Sequence, residues 1–184
     1  MREHIRMELF IHIYLTMLGL YLLWLFIFKE RPAVSGPARL TKVLDGDTLV
    51  VSQRWRKYTI RLDAIDCPEL DQPWGKKARS GLKKLLGRNR IKVEVHSIDH
   101  YGRTLATVFA WNRENSDWMN VNARMVVLGH AWVYGRYLDH LPWARRRDLQ
   151  DKESWARSKR VGLWRYSNPT PPWNWRTQGS IRGA

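Results

Sequence analysis

Residues Arg39–Leu62 read RLTKVLDGDTLVVSQRWRKYTIRL. Strand-forming residues gather in the runs Arg39–Leu44, Thr48–Ser52 and Tyr58–Leu62, parted by Asp45-Gly46-Asp47 and by the polar stretch Gln53–Lys57. Asp and Gly favour turns for backbone reasons, and short apolar-alternating runs between such turns read as strands. A three-stranded meander is therefore expected here. Downstream, Gly75–Leu86 places Ala78, Leu82, Leu85 and Leu86 on one helical face and its lysines and Arg79 elsewhere, with Gly87 as a stop. Ile91, Val93 and Val95 alternate with polar residues, and Thr104–Trp111 is rich in β-formers, so two more strands flank the tight turn Asp99–Arg103. Asn120 is placed to cap a helix carrying Val121, Met125 and Leu128, with Gly129 after it. A last helix is expected from about Leu141 to Arg160, ending at Gly162.

Five strands with a helix inserted after the third suit an α+β fold built on a small oligonucleotide-binding-type β-barrel, with about three helices. Such a barrel occupies residues 36–164 in this reading. Residues 165–184 contain Asn168-Pro169-Thr170-Pro171-Pro172 and no periodic apolar pattern, so a Pro/Trp-rich extended arm is expected. Trp173 and Trp175 on that arm either pack back on the domain, the default for tryptophan, or stack on bases.

Residues 1–35 read as a separate element, an N-terminal hydrophobic helix with a linker. Leu9–Phe28 holds no Asp, Glu, Lys or Arg. At a helical rise of about 1.5 Å per residue it would span roughly the 30 Å of a bilayer's hydrocarbon. A retained membrane anchor, with the folded domain outside the cytoplasm, is the preferred expectation. Cleavage near Ser35 as a signal peptide is the alternative. The flanking charges give orientation no clear sign, since Arg2 and Arg6 are offset by Glu3 and Glu8 while Lys29 and Arg31 follow the span.

The chain of 184 residues carries 32 Lys and Arg against 17 Asp and Glu, a net charge of +15. Without residues 1–35 the counts are 28 and 14, so the charge belongs to the domain. A surplus of that size favours polyanionic partners, nucleic acid first and an anionic membrane surface second. Cys67 is the single cysteine, which excludes an intrachain disulfide and a CxxC zinc site.

Against that basic background, six of the domain's fourteen acidic residues, Asp45, Asp47, Asp63, Asp66, Glu69 and Asp71, fall within 27 positions. Clustered carboxylates repel one another, and a hard cation with oxygen ligands makes the arrangement favourable. Asp45-Gly46-Asp47 alone is explained by its turn. The string RLDAIDCPE from Arg61 to Glu69 changes the weighting, because a strand ending near Asp66 and an extended turn at Pro68 bring Arg61, Asp66 and Glu69 to one barrel end. Those groups offer a phosphate clamp, a cation ligand and a base, which is what phosphodiester hydrolysis needs. Arg103 in the Tyr101-Gly102-Arg103 turn is the best candidate for a second phosphate-binding arginine.

In order along the chain, VLDGDTL (Val43–Leu49), RLDAIDCPE (Arg61–Glu69), DHYGR (Asp99–Arg103), NVNARMVVLGHAWVY (Asn120–Tyr134) and VGLW (Val161–Trp164) resemble the staphylococcal nuclease, or thermonuclease, family. PPWNWR at Pro171–Arg176 resembles a tail found in some bacterial members. The resemblance implies one Ca2+ held by the carboxylates of Asp47 and Asp66 and the backbone carbonyl of Cys67. It implies Glu69 acting on the attacking water, Arg61 and Arg103 on the phosphate, Tyr101 against the nucleotide, and Asp45 supporting the metal site. The products would be 3′-phosphate ends of DNA and RNA. Cys67 stands where the family usually has Thr, a change a carbonyl ligand survives, and His100 stands where Lys or Arg is common. Tyr134 and Tyr137 are both candidates for a nucleotide-packing tyrosine. The alternatives are a catalytically silent nucleic-acid-binding barrel tethered to the membrane, and a scaffold that only collects nucleic acid.

Overall fold

The computed structural model describes residues 11–22 and 34–182. The chain divides into two compact units, Met1–Pro32 and Ala33–Ala184. In the first, residues 11–22 form helix α1, uncharged and exposed along its length. No helix among the described residues is long and apolar enough to cross a membrane. The rest of the predicted span, residues 9–10 and 23–28, lies outside the described residues.

The second unit opens with β1 (Gly36–Val43), β2 (Thr48–Gln53) and β3 (Arg56–Leu62), the expected meander, each antiparallel to the next. A two-residue strand β4 (Ile65–Asp66) precedes helix α2 (Gly75–Leu86). Then come β5 (Ile91–Ile98), β6 (Thr104–Asn112), β7 (Asp117–Asn120), α3 (Val121–Val127), β8 (Trp132–Val133), α4 (Trp143–Ser158) and α5 (Pro172–Arg182). β5 pairs antiparallel with β1 and β6, and β6 closes the ring by running parallel to β3, Ile60 beside Thr104 and Leu62 beside Ala106. The five expected strands thus form a closed, mixed barrel. β7 extends it from the edge of β6, and β4 pairs with β8 outside it.

Alternation sends Leu49, Val51, Ile60, Leu62, Ile91, Val93, Ala106 and Val108 into a common core, all at most 1% exposed. Burying each large aliphatic side chain contributes roughly 1.5–3 kcal/mol. α2 buries Ala78, Leu82 and Leu86 against the same core. Asn120 caps α3 as expected, its side chain accepting from Ala123 N at 3.0 Å.

Where an extended arm was expected, Pro172–Arg182 is a helix. Proline fits the first turn of a helix because its fixed φ suits the turn and its missing N–H would have no partner there. Pro171 O accepts from both Asn174 N and Trp175 N, starting the coil. Trp173 packs against a second apolar cluster of Trp132, Ala156, Leu163 and Trp164, so packing wins for that tryptophan.

That cluster is joined to α3 by two glycines. Gly129 and Gly162 each have φ of 63°, and Leu163 N donates to Gly129 O at 2.8 Å. A Cβ on Gly162 would lie 2.2 Å from Gly129 O. Gly162→Ala therefore combines a left-handed backbone with a backbone collision, and a loss of about 2 kcal/mol is expected. Urea unfolding of the two proteins measures it; equal midpoints would show that the contact is dispensable.

Candidate active site

The barrel end that carries β2, β3 and β4 is organised by turns. Asp45 Oδ1 accepts from Asp47 N at 3.0 Å and Thr48 N at 2.6 Å, the side-chain-closed turn that the tripeptide itself favours. Gly46 is required there, because a Cβ would sit 2.6 Å from Cys67 Cβ. The next turn reverses the chain after Leu62 with Ala64 at φ 64°. This brings the Arg61 guanidinium back over its own turn, where Nη1 donates to Leu62 O at 3.1 Å and Ile65 O at 3.0 Å.

Arg61 also joins the two carboxylates that flank it, Nη1 lying 3.0 Å from Asp47 Oδ2 and Nη2 2.6 Å from Asp66 Oδ1. Asp47 Oδ2 further accepts from Cys67 N at 2.7 Å. Burial nevertheless pushes Asp47 up to about 7; Arg61 and the Cys67 amide pull it down, while Asp45 and Asp66 add to the rise. Asp47 and Asp66 are buried carboxylates that offer only oxygen donors, a set of the sort that suits a hard divalent cation. The residues present fit calcium on that ground. Burial pushes the Cys67 thiol well up, which disfavours the thiolate that a nucleophile would need.

Asp45, Asp47, Arg61, Asp66, Cys67, Glu69, Tyr101 and Arg103, the residues to which the resemblance assigns roles, line one cleft of about 670 Å³, whereas Asp71 does not border it. Tyr134 and Tyr137 line it too, their rings 5.0 Å apart. Asp45 acts on the backbone of its turn. Arg103 stands at the rim, held by Asp99 through Nε at 2.8 Å and through its backbone N–H at 2.9 Å. Partial burial works against the charge on Asp99, but these bonds hold its carboxyl below the usual range. Tyr101 is exposed, between His100 at 3.8 Å and the Arg103 guanidinium at 5.4 Å from its ring centroid.

Sequence reasoning missed one charged group in this cleft. Arg176, on α5, donates from Nη2 to Asp66 Oδ2 at 2.8 Å and from Nη1 to Glu69 Oε1 at 2.7 Å. Its only trace in the sequence was the PPWNWR string. The sequence also left Asp63 without a role. It too borders the cleft, but its carboxylate is bonded to His140 Nε2 and lies 3.9 Å from His96 Nε2, and His96 meets the Thr107 hydroxyl at 2.9 Å. The ligating atoms of Asp63, His96 and His140 lie within 4.8 Å of one another. Imidazole is a poor ligand for a hard cation, so this cluster is distinct from the oxygen site and staples the turn after β3 to the segment ahead of α4.

Residues 59–166 match the family described as "Staphylococcal nuclease homologue". The chain is 37% identical over 142 residues to a micrococcal nuclease of Shigella flexneri, covering 74% of this chain and 78% of that protein. It is 39% identical over 140 residues to an uncharacterized endonuclease of Escherichia coli O157:H7, covering 75% and 83%. An uncharacterized endonuclease of Haemophilus influenzae is 36% identical over 164 residues, 87% of this chain and 85% of that one.

The buried Asp47 carboxyl gives a signed prediction. Its pKa rises from 3.8 to about 7 on folding, so its favourable contribution is complete below 3.8 and is lost as pH climbs through about 7. In the presence of a chelator, wild-type stability relative to Asp47→Asn should fall across that window, and calcium should restore it at the upper end. Urea melts at a series of pH values test this, and parallel pH curves for the two proteins would refute it.

Proposed function

The chain belongs to the staphylococcal nuclease family, and from that premise we propose that it hydrolyses phosphodiester bonds in DNA and RNA with one calcium ion. The observation that carries this reading is the convergence of Asp47, Asp66, Arg61 and Glu69 on one cleft of a strongly basic domain.

Asp47 and Asp66, with the Cys67 carbonyl, are the groups that would hold the ion. Bound there, calcium would offset the negative charge of the phosphoryl group during attack. Arg61 is pinned by two backbone carbonyls, so its planar fork is oriented before substrate arrives and loses little freedom on meeting a phosphate. Arg103 supplies a second fork from the rim, and Tyr101 an exposed ring for the sugar or base beside it. Glu69, the half-exposed carboxylate, takes a proton from the attacking water. The water oxygen bonds to phosphorus as the bond to the 5′ oxygen breaks, and that oxygen takes up a proton from solvent, leaving a 3′-phosphate and a 5′-hydroxyl. Gripping phosphate reads no base, which supports action on both DNA and RNA.

Location is part of the same proposal. The uncharged helix α1 and the apolar residues flanking it in sequence support a membrane tether through residues 9–28; an outside location for the nuclease domain is the companion proposal. Hydrophobic insertion withstands both salt and alkali, whereas adsorption of a basic surface does not. The full chain should therefore stay in the membrane fraction through high-salt and carbonate washes. Recovery of a soluble form beginning near Gly36 would establish a cleaved signal instead.

Activity itself is tested on single-stranded DNA and RNA. Both should be degraded with calcium, and a calcium chelator should abolish turnover; undiminished activity in chelator would remove the metal from the mechanism. Glu69→Gln should lower kcat by on the order of 10²-fold or more while leaving substrate binding near normal. Near-normal turnover in that variant would assign the water to another residue.

A further inference from the structure

Arg176 is separated from Glu69 by 107 positions in sequence, yet it makes the one ion pair that the Glu69 carboxylate has among the described residues. Its guanidinium bridges the two acids, with Nη2 2.8 Å from Asp66 Oδ2 and Nη1 3.4 Å from Asp66 Oδ1 and 2.7 Å from Glu69 Oε1. Burial of the guanidinium works against its charge, and Asp66 and Glu69 more than reverse that, holding it firmly protonated.

The segment that delivers it is fastened down. Trp173, one helical turn earlier, stacks on Tyr134 at 5.2 Å and 16° and packs on the Trp132/Trp164 cluster. The buried side chain of Gln72 donates to Thr170 O at 2.6 Å and accepts from Glu69 N at 3.1 Å. One residue therefore sets both the backbone of Glu69 and the approach of the C-terminal helix. Gly75 adds to this, since a Cβ there would lie 1.7 Å from Glu69 O.

Two consequences follow from where the guanidinium lies. A long carboxylate side chain loses rotamer freedom when a fixed partner holds one oxygen, and orientation is a large part of what a general base supplies. Arg176 also covers Asp66 Oδ2, and Asp66 Oδ1 is taken by Arg61, so a cation binding Asp66 competes with guanidinium charge already paired to both oxygens. Its bond to Glu69 carries no such conflict.

We propose that Arg176, brought in by α5, is a positioning residue of the nuclease centre: it orients Glu69 for the attacking water and competes with the cation for Asp66. This rests on the nuclease reading above. The two halves pull in opposite directions, which gives the proposal a signature. Removing Arg176 should weaken catalysis and strengthen cation binding in the same protein. A general basic contact would change KM and its salt dependence, an inhibitory plug would raise turnover when removed, and a structural prop would lower the melting temperature.

The experiment uses the full chain with Arg176→Ala, Arg176→Gln and Arg176→Lys. Calcium binding is measured by titration calorimetry without nucleic acid, and steady-state kinetics on a single-stranded DNA oligonucleotide at saturating calcium. Arg176→Ala should lower kcat by on the order of 10²-fold with KM little changed. Its calcium affinity should rise by about tenfold, the scale of one lost charge-assisted competitor. Arg176→Lys should recover part of the turnover, because an ammonium can still meet one Glu69 oxygen, and Arg176→Gln, which keeps the packing but not the charge, should behave like Arg176→Ala. Unchanged or raised kcat, loss confined to KM, or unchanged calcium affinity in all three variants would overturn the proposal. If Arg176→Ala alone unfolds, Arg176→Gln and Arg176→Lys decide it. Should the wild-type chain show no nuclease activity, the nuclease reading and the Glu69 half fail together, while the calorimetry still decides the competition at Asp66.

Discussion

The guanidinium of Arg61 is the piece on which the active end of the barrel depends. It sits between Asp47 on the β2 side and Asp66 on β4, and the carbonyls of Leu62 and Ile65 hold it from beneath. Two buried carboxylates so close would repel, and a buried carboxylate alone would carry a desolvation cost of several kcal/mol. The Arg61 fork between them, with Arg176 on the far oxygen of Asp66, makes their proximity tolerable. Burial nevertheless pushes Asp47 up, and Asp45 and Asp66 add to the rise.

Much of this could be read in the sequence, for reasons that differ from residue to residue. Asp45-Gly46-Asp47 and Arg61–Glu69 are local strings, so strand alternation and turn chemistry alone bring their side chains to one end. Asn120 was legible because a cap needs only the next three residues. The barrel's closing pair was not, since the parallel contact of β3 with β6 depends on how the whole sheet twists and leaves no mark on alternation. β4 and β8, two residues each, are too short to show a period. Arg176 was hidden for another reason. Pro171-Pro172 reads as a helix breaker when the flanking residues lack an apolar stripe, whereas it opens α5, which has tertiary packing through Trp173 rather than a periodic face.

The C-terminal segment changes how the domain is bounded. A barrel that ended at Trp164 would keep its core and its Arg61 cluster but would lack the Trp173 stack on Tyr134 and the Gln72 bond to Thr170. Tyr134 lines the cleft, so an indole from the tail already covers one face of a ring that was a candidate for nucleotide packing. Tyr137, half exposed to solvent and tilted against Tyr134, keeps a freer face.

Cys67 offers something unrelated to hydrolysis. Its thiol is buried beside Gly46, where an added Cβ would lie 3.0 Å from Sγ, and it is the chain's single cysteine. A thiol-reactive reagent can reach it only when the Asp47 turn and the segment behind Asp66 move apart. Where that opening is rapid and reversible, the labelling rate follows the population of the open form. A single labelling position, next in sequence to a carboxylate of the cleft, would thus report the opening of the cleft floor.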